Sequence, residues 1–510
     1  PRSTLSSSSA ASDVYKRQAR GSRVRMTFEQ ARVATGGVLI GPHAGAPAGV
    51  FTAVTTDSRN VPPGAAFVAL RGEHADGHTF WPQAAAAGAA LVLLERPPAA
   101  EPLAAAPCAL LLVPDTLRAL GALAQAWRLT VAPRVIAITG SVGKTTTKEL
   151  TQQILALAGP THYNRGNFNN QLGLPLTLLA LPEATRYLVV EMGMNTPGEI
   201  AYLSALARPD LGLITAIAPV HLERLGTLEA IAAEKGALLE ALAPEGCAIV
   251  PDDEPLLDAP LRRSPARRRL SFGSSPRADA RLVAARSEGA AGQRLTLTLR
   301  GETLELLLPL IGRHNAQNAA AAAAIALALD LDHAQIAAGL ARAPQLGHRS
   351  QVRRLGALTL LDDCYNASPV AVRAALTALV ELAQGQPAVA VLGEMRELGA
   401  QADALHEQVG RAAAGLPLAG LVIVGAAASG LARGARAGGM ASNLIVETDD
   451  PAAAAGHATE LAQRAGWVLV KGSRGARLER VVDALLALAP PDRHDAPHED
   501  APAGRPARPG

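Results

Sequence analysis

The sequence predicts an α/β protein of three domains: a small N-terminal α/β domain, a large central domain on a parallel sheet, and a C-terminal α/β domain. Three observations predict it. The 510 residues, at about 150 per domain, give between three and four cores. Short apolar runs alternate with helical segments along most of the chain, the pattern of parallel strands joined by crossover helices. Hydrophobic residues reach 49% and charged ones 18%, but aromatics only 3%. The cores are therefore globular and packed from Ala, Leu and Val rather than from rings.

In chain order, residues 1–25 are Ser-rich and lack the roughly 7–15-residue apolar core of a signal peptide. They precede Met26 and read as a disordered leader, tag or assembly artefact. Residues 26–113 hold strand-like runs at Ala65–Leu70 and Ala89–Leu94, with a Pro-rich loop from Pro97 to Pro107. The central domain, 114–343, carries runs at Val135–Thr139, Tyr187–Val190, Leu211–Ile217 and Ala248–Val250, and an alanine-rich helix from Ala316 to Leu329. The third domain, 344–490, has buried-strand candidates at Thr359–Leu361, Ala388–Leu392, Leu421–Val424 and Trp467–Val470, a Rossmann-like alternation. Residues 491–510, rich in Pro, Asp, His and Arg, read as a disordered tail.

Charge excludes some function classes. Lys plus Arg (48) less Asp plus Glu (45) leaves +3, too small and too dispersed to imply nucleic acid. Cys108, Cys247 and Cys364 are odd in number and form no CxxC pair, which fits a reducing, cytoplasmic compartment. The longest uncharged stretch, between Arg411 and Arg433, is broken by Pro417 and several glycines, so no membrane span is expected. The chain is read as a monomer.

The strongest chemical signal is a β-branched run from Arg134 ending in Thr139-Gly-Ser-Val-Gly-Lys-Thr-Thr-Thr147. A strand entering a glycine turn and then a helix is the context a phosphate loop requires. Gly140, Ser141, Val142 and Gly143 let backbone amides turn around phosphate oxygens. Lys144 brings a point charge to the β/γ-phosphates, Thr145 a hydroxyl for Mg²⁺, and Thr146 continues the helix start. ATP is the expected ligand. The longer GxxxxGKT form would need glycine at Ile138, so only GxxGKT is present.

Other positions carry weaker signals. Glu191 ends a strand at the carboxyl edge of the sheet, where open α/β folds place ligands, and reads either as a metal ligand beside Thr145 or as an ordinary strand-end acid. A lone histidine after a strand, His221, is more often structural. Lys235 has the pattern of an exposed helical lysine. Asn315 and Asn318 lie three apart on one helix face, suited to one planar ligand or to N-capping. Asn167, Asn169 and Asn170 offer uncharged amides or form a turn loop. Asp57-Ser58-Arg59 is also a common capping turn.

The phosphate loop with Gly166-Asn-Phe-Asn-Asn-Gln171, Glu191-Met-Gly-Met-Asn195 and Gly198-Glu-Ile200 resembles the Mur ligases that build peptidoglycan precursors. Gly312-Arg-His-Asn-Ala-Gln-Asn318, Asp362-Asp-Cys-Tyr-Asn-Ala-Ser-Pro369, Val391-Leu-Gly-Glu-Met-Arg-Glu-Leu-Gly399 and Val470-Lys-Gly-Ser-Arg-Gly475 continue the likeness. In the first domain, Thr56–Arg59, Pro63-Gly64, Phe67–Leu70 and Asp76–His78 match as well, so it covers roughly residues 26–488. Within the family the segments are most similar to the branch that joins D-alanyl-D-alanine to UDP-N-acetylmuramoyl-tripeptide. Sibling ligases adding the third amino acid or glutamates to folate, a non-catalytic nucleotide-binding regulator, and a phosphate-loop kinase are the weaker readings.

The resemblance implies an ATP-dependent amide ligase of the bacterial cytoplasm working through an acyl phosphate. It implies a UDP-substrate-binding first domain contacted at Ser58 and Arg59, and an ATPase domain with two Mg²⁺. Thr145 and Glu191 would hold one ion, and His221 and Lys235 the other, Lys235 as a carbamate. Lys144, His221 and Lys235 then belong to the catalytic set. Asn315 and Asn318 would meet adenine. Arg349 and Asp362 would reach phosphate and ribose from across a cleft that closes. Asn167, Asn169 and Asn170 suit the pyrophosphate or muramoyl group, and Asn366 the incoming dipeptide. Ser368 stands where family members often carry Asn.

Overall fold

The computed structural model describes residues 24–43, 49–72 and 75–488. The expected leader, save Val24 and Arg25, and the expected tail lie outside the described residues; Val24 is fully buried. Two compact units form: residues up to Leu346 with Glu397–Ala402, and Gly347–Arg396 with the residues from Asp403 onward.

The first unit holds two large sheets. The smaller, of five strands, runs in the order Val38–Ile40, Ala109–Leu112, Leu91–Leu94, Ala65–Val68, Ala53–Thr55, parallel except at the Val38–Ile40 edge. Its inner strands are apolar on both faces because helices cover both, as parallel sheets require. Phe67, Val92, Leu94 and Leu110 form its core. The Pro97–Pro107 stretch, expected as loop, contains the short helix Ala100–Ala104.

The larger sheet has nine strands, in the order Glu302–Leu308, Gln293–Leu299, Ala280–Ser287, Arg268–Gly273, Cys247–Pro251, Leu211–Ile214, Arg134–Thr139, Tyr187–Glu191, Thr161–Tyr163. The seven from Ala280 onward are parallel, and the first two, Glu302–Leu308 and Gln293–Leu299, join antiparallel. The antiparallel edge was not separated in the sequence, although Arg294–Leu308 alternates polar and apolar residues as a half-solvated strand pair should. Arg300 (φ 48°) and Gly301 (φ 89°) make the two-residue turn between them. The strand expected to reach Ile217 stops at Ile214, and Thr215–Ala218 is freed to wrap the phosphate loop. Across the sheet lies the helix Arg313–Ala328, whose residues from Ala319 to Ala328 are all buried.

The second unit is a six-stranded sheet ordered Gln351–Leu355, Leu358–Asp362, Trp467–Lys471, Ala388–Gly393, Gly420–Val424, Ile445–Thr448, parallel except at the first hairpin. All four strands expected here are present. The uncharged stretch before Arg433 holds the strand Gly420–Val424 between two helices. No described helix is long and apolar enough to cross a membrane.

Candidate active site

The strand Arg134–Thr139 delivers the chain into the phosphate loop, and the helix Lys144–Ala158 leaves it. Both loop glycines are obligatory. Gly140 (φ 148°) faces Thr215 and Gly143 (φ 85°) faces Asn318 so closely that a Cβ on either would overlap Thr215 Oγ1 or Asn318 Oδ1. Ser141 N–H donates to Ala216 O at 2.8 Å, and its Oγ donates to Ala218 O at 3.0 Å while accepting Ala218 N–H at 2.9 Å. Thr215 Oγ1 donates to Val142 O at 2.5 Å. The loop is thus fastened to the exit of the neighbouring strand. Lys144 Nζ donates to Gly140 O at 2.7 Å, arching over the loop. Thr146 is buried behind it.

Thr145 Oγ1 donates to Glu191 Oε2 at 2.8 Å, and Asn169 Nδ2 to Glu191 Oε1 at 2.8 Å. Glu191 is 3% exposed, and its two carboxylate oxygens meet the Thr145 hydroxyl and the Asn169 amide. A buried carboxylate is a hard oxygen ligand, and a hydroxyl beside it supplies a second. The pair therefore fits Mg²⁺. One residue here escaped the sequence reading. Fully buried Asn164 accepts Glu191 N–H at 2.8 Å and donates to Glu191 O at 2.9 Å, and Lys148 Nζ donates to Asn164 O at 2.7 Å.

Lys235 overturns the exposed-lysine reading, because it is 1% exposed. On the helix Leu228–Glu240 it shares the inward face with Ile231, Ala232, Gly236, Leu238 and Leu239, a spacing visible in the sequence. Burial, then the Lys144 charge, push its amine well below the usual lysine range, opposed by Glu234. An amine held neutral is the species that reacts with carbon dioxide. Glu234 itself accepts Gly198 N–H at 2.8 Å and Ile200 N–H at 2.9 Å, anchoring the helix Glu199–Ala207. His221, at φ 57°, starts the short helix Leu222–Leu225, and its Nδ1 lies 2.5 Å from Glu397 Oε2. That contact holds Glu397 below the usual carboxylate range. Glu397 was part of a quoted motif without an assigned role.

Asn315 and Asn318 do not cap their helix, because Gly312 occupies the cap position. Asn315 Nδ2 donates to Ile311 O at 2.8 Å, Asn318 Nδ2 to Asn315 Oδ1 at 3.1 Å, and Thr147 Oγ1 to Asn318 Oδ1 at 3.4 Å. The pair is locked against the phosphate loop. Of the asparagine loop only Asn169 reaches Glu191. Asn170 Oδ1 accepts Gly173 N–H at 2.8 Å where the helix Gly173–Leu179 begins, while Asn167 is exposed. At the end of the strand Ala53–Thr55, Arg59 Nε donates to Asp57 Oδ1 at 2.8 Å, leaving Arg59 exposed and Ser58 half-buried.

In the second unit Arg349 stacks on Tyr365, its Cζ 4.1 Å from the ring centre. Asp362 is fully buried, with His348 Nδ1 at 2.9 Å and an Arg353 nitrogen at 3.3 Å. Asn366 is exposed and its carbonyl accepts Lys471 Nζ at 3.0 Å, while Lys471 also meets Asp363 Oδ2 at 2.6 Å. Lys471 is a second residue without an earlier role. Ser368 Oγ accepts Ala371 N–H at 3.4 Å and caps the helix Pro369–Ala383. Asn caps helices equally well, so Ser at this position keeps the same backbone device.

Comparison with known proteins adds to this geometry. Family profiles match at residues 138–326 (Mur ligase middle domain), 348–474 (Mur ligase, glutamate ligase domain) and 50–128 (Mur ligase family, catalytic domain). The chain is 38% identical over 438 residues to the UDP-N-acetylmuramoyl-tripeptide–D-alanyl-D-alanine ligase of Escherichia coli (strain K12), covering 85% of this chain and 93% of that protein. It is 34% identical to the same ligase of Bacillus subtilis (strain 168), at 86% and 93% coverage. A crystal structure of MurF from Acinetobacter baumannii superposes with TM-score 0.83 at 33% identity, covering 91% of this chain and all of the other. MurF from Thermotoga maritima in complex with ADP gives TM-score 0.75 at 28% identity, covering 85% of this chain and 97% of the other.

Proposed function

Because the chain belongs to the Mur ligase family, we propose that it joins D-alanyl-D-alanine to UDP-N-acetylmuramoyl-tripeptide with hydrolysis of ATP to ADP and phosphate. The relatives that carry this activity in their names are matched over nine-tenths of their length. The observation that carries the reading in the structure is the Thr145–Glu191 pair, placed at the mouth of an intact phosphate loop.

In this reading the tripeptide's terminal carboxylate attacks the γ-phosphorus of ATP, and ADP leaves. The dipeptide's free amine then attacks the acyl carbon, loses a proton, and phosphate departs. Both steps gather negative charge on oxygens that must be held still, which is the work of fixed donors and cations. The loop amides from Gly140 to Gly143 and the helix N-terminus cradle the phosphates, and Lys144 swings from Gly140 O to meet them. Thr145 and Glu191 would hold one magnesium ion, and His221 with carbamylated Lys235 a second, each neutralising phosphate charge when bound. Asn169 and Asn164 keep Glu191 aimed. Asn315 and Asn318 address adenine, Arg349 and Asp362 the nucleotide's phosphate and ribose, Ser58 and Arg59 the uridine diphosphate, and Asn167 and Asn170 the muramoyl side. We place the protein in the cytoplasm as a monomer.

The test is phosphate release from Mg-ATP with UDP-N-acetylmuramoyl-tripeptide, with and without D-alanyl-D-alanine, and product mass. Release that needs both and yields the pentapeptide is expected. Binding of ATP with no release in any combination overturns the reading.

A further inference from the structure

In the second unit the strands Leu358–Asp362, Trp467–Lys471 and Ala388–Gly393 are neighbours and parallel, so the loops leaving their carboxyl ends gather on one edge. Those loops are laced together. Lys471 Nζ donates to Asn366 O at 3.0 Å, Arg396 N–H to Ser473 Oγ at 2.9 Å, and Ser473 N–H to Glu394 O at 2.9 Å. Three cations here are committed. Lys471 is buried on Asp363. Arg396 Nε meets Glu394 Oε2 at 2.6 Å, and its guanidinium packs against Gly475. Arg349, stacked on Tyr365, belongs to the nucleotide in the reading above.

Arg474 differs. Its side chain is 54% exposed, its carboxylate contact among the described residues, to Glu479, is as long as 3.9 Å, and its Cζ lies 5.8 Å from the centre of the Tyr365 ring. A planar guanidinium with unspent donors, steadied by an aromatic ring one residue from Asn366, has the geometry for bidentate capture of a carboxylate.

The geometry points to Arg474 as the residue that takes the C-terminal carboxylate of the incoming dipeptide, setting specificity for a free-acid terminus. This rests on the ligase reading above and adds to it the group by which the second substrate is selected. The amine of a dipeptide held by its far carboxylate is left free to attack.

The experiment compares D-alanyl-D-alanine with its C-terminal amide on wild-type protein, Arg474→Gln, Arg474→Lys and the nearby surface control Arg477→Gln, with melting temperatures for each. Wild type should show a KM at least tenfold higher for the amide. Arg474→Gln should raise the KM for the acid by a similar factor and no longer distinguish acid from amide, with KM for ATP and for the UDP-tripeptide unchanged. Arg474→Lys should keep part of the discrimination and Arg477→Gln all of it. Equal KM values for acid and amide on wild type, or full discrimination in either folded Arg474 variant, overturn the assignment. Failure of wild-type protein to form any pentapeptide would instead sink the ligase reading itself.

Discussion

Thr145 Oγ1 and Glu191 Oε2 stand 2.8 Å apart although 46 positions separate them in the chain. One opens the helix after the phosphate loop and the other closes the adjacent parallel strand, so the sheet register itself brings hydroxyl and carboxylate together. Glu191→Gln preserves the shape and removes the charge. It should lower kcat by about 10²–10³-fold, the scale of losing one fixed electrostatic partner, and raise the Mg²⁺ concentration needed for half-maximal rate. Titrating Mg²⁺ against phosphate release checks this, and an unaltered Mg²⁺ requirement would remove Glu191 from the metal site.

Lys144 Nζ donates to two carbonyls of its own loop, Gly140 O at 2.7 Å and Ser141 O at 3.4 Å. Lys144→Ala should therefore abolish phosphate release while circular dichroism and the melting temperature stay close to wild type. Turnover at the wild-type rate would contradict the nucleotide assignment.

Lys235 supplies a third test. Its amine is held below the ordinary lysine range by burial and by Lys144, so a neutral fraction capable of carbamylation exists at lower pH than for a solvated lysine. Lys235→Ala should lose most activity, gain little from bicarbonate, and recover part of it with short carboxylic acids that refill the space. Full activity of the alanine variant without rescue would dismiss the carbamate.

Acid stability has an identifiable contributor in His162. Burial lowers its imidazole from 6.5 to about 4, against a smaller opposing effect of the hydrogen bond to Thr177 O. The unfolded chain takes up the proton first, so this contribution is complete above about pH 6.5 and is lost as pH falls toward 4, up to about 3 kcal/mol. Urea unfolding at pH 7 and pH 4.5 should show that loss, and His162→Gln should flatten it. An identical pH slope in the variant would place the acid sensitivity elsewhere.

Much of this site was legible because single short segments carry it. The phosphate loop announces itself by glycine spacing and a strand before it, and the four strands of the second unit by unbroken apolar runs. What stayed hidden depends on distance. Asn164 aims Glu191 from 27 positions away, and no local pattern marks an asparagine whose partner is that remote. Glu397 meets His221 only through the fold. Lys235 reads as exposed on pattern alone for another reason: its helix spacing places it on the apolar face, but lysine's usual preference for solvent outweighs the spacing, and only the family resemblance puts it in the site. The antiparallel edge at Arg294–Leu308 alternates polar and apolar residues, a weaker mark than the unbroken apolar runs by which the parallel strands are legible.

The alanine-rich helix Arg313–Ala328 has a mechanical consequence. Alanine has no side-chain torsion to turn, so a buried row of alanines in close contact with a sheet cannot take up a displacement by changing rotamers. At one end Asn318 rests against Gly143 of the phosphate loop. At the other, Ala328 O and Leu327 O receive the guanidinium groups of Arg268 and Arg300 at 3.1 and 2.9 Å, beside the antiparallel edge. The phosphate loop and the antiparallel edge are thus held to two ends of one helix that has few side-chain torsions to yield.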